Sequence, residues 1–116
     1  MMTLHLSEAV RAAQDRKALE VGVLDLKGIC SFTDFFLLCT GTSTRHTQAI
    51  CDAIVERLES AGVSAAHVEG YSAAEWILLD YLDFVAHIFS GPARQFYDLE
   101  RLWKNAKRIP VPESER

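Results

Sequence analysis

From residue 58 to residue 93 the chain carries neither lysine nor arginine. Glu59, Glu69, Glu75, Asp80 and Asp83 all fall in that stretch, so the middle of a chain with net charge −4 is an uncompensated acidic block. Nucleic-acid affinity rests on Lys and Arg neutralising phosphates, which makes this segment a poor phosphate binder. A basic partner protein suits it better. Long apolar runs are missing as well: stretches such as FFLLC at 35–39 are far too short to cross a bilayer. The N-terminus has neither the basic start and apolar core of a secretory signal nor the arginines of an organellar transit peptide, so the expected compartment is the cytosol. Cysteines are few and odd in number, and no C-x-x-C occurs. Cys30, Cys39 and Cys51 therefore read as small buried fillers rather than a disulfide framework. No G-x-x-x-x-G-K-[ST], G-x-G-x-x-G or G-x-S-x-G is present, which removes the recognisable phosphate loops and the nucleophile elbow.

What is present fits one α/β domain over 1–108, followed by a tail at 109–116 that two prolines and alternating charge mark as disordered. At 116 residues roughly 65–70% of the unfolded surface can be buried, enough for a core without staples. Apolar spacings of three and four predict a helix over 7–16, starting as early as Thr3. Strands are expected over 19–26 and 34–39, the second apolar enough to be covered on both faces. Ala49, Ile50, Ala53, Ile54, Leu58 and Ala61 form one stripe of a helix over 44–61, capped by Thr42 or Ser43 and ended by Gly62. A third strand over 64–69, reached by a right-handed crossover, and a hairpin over 76–89 follow, then a short helix or pair of turns over 93–103. The expected layout is α-β-β-α-β-β-β-α, a mixed sheet of about five strands with packed helices.

The hairpin carries the functional question. A two-residue turn at Leu82-Asp83 pairs Tyr81 with Phe84, Leu79 with Ala86 and Ile77 with Ile88, all apolar or aromatic and all on one face. The opposite face then pairs Asp80 with Val85, Leu78 with His87 and Trp76 with Phe89. Two readings of that second face stand open. Either a helix covers it and Asp80 and His87 satisfy each other, or it is partly exposed and Trp76 and Phe89 anchor a partner, as aromatic residues do at interface hot spots. Catalysis is a poor fit, since no nucleophile is marked beside His87. His67 and Glu69 are the nearest further ligands, and their spacing is not that of a metal site. No catalytic residue, metal or cofactor is assigned. The Gly41-Thr42-Ser43 turn into a helix could cradle a phosphate, although capping alone accounts for it.

Four motifs stand in order along the chain: DFFLLCTGTSTRHTQAI at 34–50, EGY at 69–71, WILLDY at 76–81 with Asp83 and HIF at 87–89, and FYDLERLW at 96–103. Together they resemble the ribosomal silencing factors of the Iojap type, over roughly 7–108. The resemblance implies a topology similar to nucleotidyltransferases without their catalytic carboxylates. It also implies a translational repressor that is not an enzyme. Such a repressor binds the large ribosomal subunit through ribosomal protein L-fourteen, blocks joining of the small subunit by steric exclusion, and can form a homodimer. Neither a membrane nor a specific nucleic-acid sequence is an expected partner. The partner-binding residues it implies are Trp76, Leu78, Leu79, Asp80, Tyr81, Asp83 and His87. Tyr81 is placed at the site by the motif but inside by strand parity. Leu82 stands where the family often has glycine, and Ser72-Ala-Ala-Glu75 is a blander lead-in than many relatives have. The runner-up is a nucleotide-binding or nucleotidyltransferase-like enzyme using Gly41 to Ser43. A third reading is an oligomeric scaffold whose mixed face binds its own copy.

Overall fold

Residues 3–112 are described by a computed structural model. Thr3 caps α1 (Leu4–Asp15), its hydroxyl accepting the Leu6 N–H, and Leu6, Ala9, Val10 and Ala13 form the buried stripe. β1 (Leu19–Asp25) runs antiparallel to β2 (Phe35–Gly41), with an irregularity between Leu19 and Gly22. Ser43 caps α2 (Thr44–Ser60), whose hydroxyl takes the His46 N–H at 3.0 Å, and Gly62 leaves the helix at φ +83. The short β3 (His67–Glu69) precedes the hairpin of β4 (Trp76–Asp80) and β5 (Phe84–Ser90). Two short helices, α3 (Gly91–Tyr97) and α4 (Leu99–Leu102), lead to β6 (Lys107–Ile109).

The result is one mixed sheet of six strands in the order β3-β4-β5-β2-β1-β6. Its centre is the parallel pair β2 and β5, every residue of which is buried, because both strands are covered on both faces. β3 runs parallel to β2 with β4 and β5 between them, so the crossover through α2 spans two strands. One face packs on α1 and α2, where Leu37, Cys39, Ile77, Leu79, Ala86 and Ile88 meet Leu6, Ile50, Ile54 and Leu58. Arg57 ties the two helices together through Asp15 at 2.5 Å. The opposite face, here called the outer face, carries Leu24, Phe36, Leu38, Val85 and Phe89 under a thinner layer that includes Leu99 and Trp103.

Two expectations change. The sheet has six strands rather than five, because Lys107, Arg108 and Ile109 pair with Asp25, Leu24 and Val23. The segment read as a disordered tail is therefore structured through its first residues. Ile109 ends β6, Val111 packs on the core, and the Pro112 carbonyl accepts from Gln14 Nε2. The rest of that tail, 113–116, lies outside the described residues.

Candidate functional site

The hairpin has the register that its alternation predicts, from Trp76 opposite Phe89 to Asp80 opposite Val85. Its turn closes with the Tyr81 N–H on the Phe84 carbonyl (2.9 Å) and the Asp83 N–H on the Tyr81 carbonyl (2.8 Å). Leu82 takes φ +71, the left-handed geometry for which glycine is the easy residue. Two bonds hold it there. Asp80 Oδ1 accepts the Leu82 N–H at 2.8 Å, and the Thr33 hydroxyl donates to the Leu82 carbonyl at 2.9 Å.

Asp80 and His87 are not a pair. His87 lies opposite Leu78, while Asp80 is one pairing step of that face further on and turned to its own turn. The partner of His87 is Trp76, whose indole N–H donates to His87 Nδ1 at 3.0 Å. That bond makes Nδ1 the acceptor, so in the neutral ring the proton sits on Nε2, which is buried without a partner. Phe36 meets the imidazole edge-on at 4.4 Å and Phe89 stacks at 6.1 Å. His87 is only 4% exposed, and burial pushes its pKa down to about 3, so the ring is neutral at physiological pH.

The outer face is thus half covered, partway between the two readings of the sequence. Tyr97 of α3 lies 4.5 Å from the Trp76 ring, and Trp103 stands edge-on to Phe36 at 5.9 Å. Trp76 and Leu78 remain partly accessible, and Asp80, Leu82 and Asp83 mark the hairpin's end. On β3, strand pairing puts His67 and Glu69 on the same face as Asp80 and Leu78, where their side chains meet at 2.5 Å. Leu79 and Tyr81 belong elsewhere. Leu79 is fully buried on the helix face, and Tyr81 stacks on Phe84 at 5.1 Å with its hydroxyl buried and unpartnered, its pKa raised to about 12 by burial. Both side chains are buried, and Tyr81 lies on the face that strand parity gives it.

Sequence reasoning missed Arg94, which fastens the outer layer. Its guanidinium donates to both Glu100 oxygens (3.2 and 2.8 Å), to the Thr40 hydroxyl (3.1 Å) and to the Glu20 carbonyl (2.6 Å), joining α3 to α4, β2 and β1. The Arg94 hydrogen bond holds the Glu100 carboxyl below the usual range. Nothing in the sequence around Arg94 pointed to its partners. Tyr97 was also given no role, although FYDLERLW was visible as a motif.

The Gly41 turn is occupied by its own chain. The Thr42 N–H donates to His46 Nδ1 at 2.8 Å, His46 Nε2 reaches the Arg16 carbonyl at 2.7 Å, and Ser43 is the cap. Glycine is needed at 41 because a Cβ there would stand 2.6 Å from Thr47 Cγ2 and 2.9 Å from the Thr47 nitrogen, a packing reason. Among the described residues no three His, Cys, Asp or Glu side chains group as metal ligands, and no helix is long and apolar enough to cross a membrane.

The lead-in to Trp76 is built with similar care. Gln48 Nε2 donates to the Tyr71 carbonyl (2.9 Å), the Tyr71 hydroxyl to Asp52 (3.0 Å) and the Thr47 hydroxyl to the Ala74 carbonyl (2.8 Å), so α2 holds the loop that delivers the tryptophan. Gly70, at φ +81, passes so close to the Trp76 carbonyl that a Cβ would fall 2.1 Å from its oxygen.

Comparison with known proteins agrees along the chain. The family described as ribosomal silencing factor during starvation matches residues 2–116. A ribosomal silencing factor of Halalkalibacterium halodurans is 39% identical over 106 residues, which cover 91% of this chain and 91% of that one. A Chromobacterium violaceum crystal structure is similar at a TM-score of 0.85 and 28% identity, covering 99% of this chain and 98% of its own. The mouse protein named mitochondrial assembly of ribosomal large subunit protein 1 is 29% identical over 97 residues, 81% of this chain and 42% of its own length. With a family match over nearly its whole length and a relative this similar, the chain belongs to the ribosomal silencing factors.

Proposed function

We propose that this protein represses translation by docking on the large ribosomal subunit through ribosomal protein L-fourteen and excluding the small subunit sterically. The observation that carries the reading is the outer face of the hairpin. Trp76 and Leu78 are partly open there, with Glu69, Asp80 and Asp83 around them and no Lys or Arg from 58 to 93. A desolvated aromatic and aliphatic centre with an acidic rim suits a basic ribosomal protein. The family supports a silencing role, and the mouse relative's name attaches that relative to the large subunit. In this reading the protein is not an enzyme, acts in the cytosol where subunits meet, and uses Trp76, Leu78, Asp80 and Asp83 at the surface, with His87 orienting Trp76 from below. A topology shared with nucleotidyltransferases would then be scaffold only.

The test is sedimentation with separated ribosomal subunits. Trp76→Ala is expected to cost about 2 kcal/mol or more of binding, as hot-spot truncations do. Because it also strips His87 Nδ1 of its donor, Leu78→Glu is the cleaner probe. With its fold checked by a melting curve, that variant should lose pelleting with large subunits and lose inhibition of subunit joining. A folded Leu78→Glu protein that pellets at wild-type affinity would remove the hairpin from the interface. A stable dimer that the ribosomal protein cannot displace would instead assign the face to a second copy.

A further inference from the structure

A cluster of positive charge stands at the other edge of the sheet from the hairpin. Residues 101–112 contain Arg101, Lys104, Lys107 and Arg108 and no acid, and all four side chains are exposed. Arg101 and Lys104 have no ion-pair partner among the described residues. Arg108 pairs with Leu24 across the β6–β1 ladder, which turns it to the outer face, and it stands 3.8 Å from a Glu100 oxygen that Arg94 already holds at 2.8 Å. Two arginines thus share one carboxylate, and the corner keeps a net positive charge. Lys107 lies opposite Asp25 on the other face and takes no part.

This basic corner belongs to the same surface layer as the hairpin. Trp103 sits between Arg101 and Lys104 in sequence and is seated edge-on against Phe36, which in turn touches His87. Four strand spacings separate β4 from β6, about 19 Å at the usual interval. The outer layer is therefore bipolar, acidic at the hairpin and basic at the α4–β6 corner.

We propose that the corner formed by Arg101, Lys104 and Arg108 binds the phosphate backbone of RNA, ribosomal RNA beside the protein on which the hairpin docks. This rests on the docking reading above and adds a second partner of opposite charge. Phosphate complements this charge, and Lys and Arg gain affinity for RNA by displacing its counterions, without reading sequence. Arg101 and Arg108 offer planar forks that match phosphate oxygens, while Lys104 acts as a point charge. A ribosomal surface alternates basic protein with polyanionic RNA, and a bipolar layer about 19 Å across can meet one of each.

The experiment compares wild type with the double variant Arg101→Glu, Lys104→Glu in two assays: affinity for isolated large subunits across a salt series, and affinity for purified ribosomal protein L-fourteen. Both substitutions are on exposed side chains, and a melting curve checks the fold. The double variant is expected to bind subunits at least tenfold more weakly, with a salt slope shallower by roughly 1.5 log units per log unit for two lost phosphate contacts. Its binding to the isolated protein should be unchanged. Equal subunit affinity and slope would overturn the inference and leave the docking reading standing. An equal loss in both assays would mean that the corner touches protein, which also overturns it. Wild-type protein that binds neither would sink the docking reading and this inference together.

Discussion

At the scale of single residues, His87 is the most consequential side chain because its chemistry is fixed by packing. Neutral in the fold, with a pKa of about 3, it protonates near pH 6.5 once the chain unfolds. Between those values the unfolded chain binds the extra proton. This contribution to stability is therefore complete above about pH 6.5 and falls as the pH drops towards 3, by at most about 1.4 kcal/mol per pH unit. Urea unfolding at pH 7.5, 5.5 and 4.5 should show that decline in the wild type and a flatter one in His87→Gln. Parallel declines in the two proteins would exclude His87 as the titrating group. The sequence made this residue visible as a histidine on a mixed face, and one of the two readings left open gave it Asp80 as a companion, which the Trp76 bond replaces. Asp80 is on the same face, whereas the Trp76 indole reaches the ring from a neighbouring pair, a diagonal contact that alternation alone does not rank.

At the scale of elements, the hairpin turn and the outer helices behave differently. Leu82 is held at positive φ and is 65% exposed, so its side chain adds little packing to offset the backbone cost. Leu82→Gly should raise stability by about 0.5–1 kcal/mol, the left-handed penalty less the entropy of glycine in the unfolded chain. An unchanged or lower urea midpoint would show that the leucine contributes contacts of its own. In the outer layer Arg94→Met breaks a largely buried ion pair and leaves the Thr40 hydroxyl and Glu20 carbonyl without their donor. A loss of about 3 kcal/mol or more is expected. Arg94→Lys should recover little of it, since an ammonium cannot make the two parallel bonds to Glu100. A loss under about 1 kcal/mol would mean that α3 and α4 are held by their apolar contacts alone.

The legibility of these elements follows their physics. The hairpin register could be read because one face is wholly apolar, and a slip of one residue would turn that face to water. The helices α1 and α2 could be read from their stripes and caps. β6 could not: Lys107, Arg108 and Ile109 offer one apolar residue before Pro110, and the strand exists only because β1 presents an open edge. Arg94 was hidden for a related reason, since its four acceptor atoms lie on three residues, of which Glu20 and Thr40 are distant in the chain.

At the scale of the whole molecule, the separation of charge sets how the protein meets a partner. Asp83 lies at the exposed end of the hairpin, while Asp80 is engaged in the turn, so Asp83→Lys is the better probe of steering. It should slow association with the large subunit several-fold at low salt and change dissociation much less, with the difference shrinking as salt screens the charges. Association kinetics at two ionic strengths would show this, and a change confined to dissociation would contradict it.

The central parallel pair joins Phe35 to Phe84 and Gly41 to Ser90, so the two most buried strands are also far apart along the chain. During synthesis β2 emerges early and waits, apolar on both sides, until β5 has left the ribosome. The β1 edge then stays unpaired until β6, later still in the chain, is delivered. Long-range pairing of this kind makes folding slow and exposes strand edges while it waits. A protein of a family that silences ribosomes thus has a chain that cannot complete its own sheet until β6, the last strand among the described residues, has followed all the others out of the ribosome.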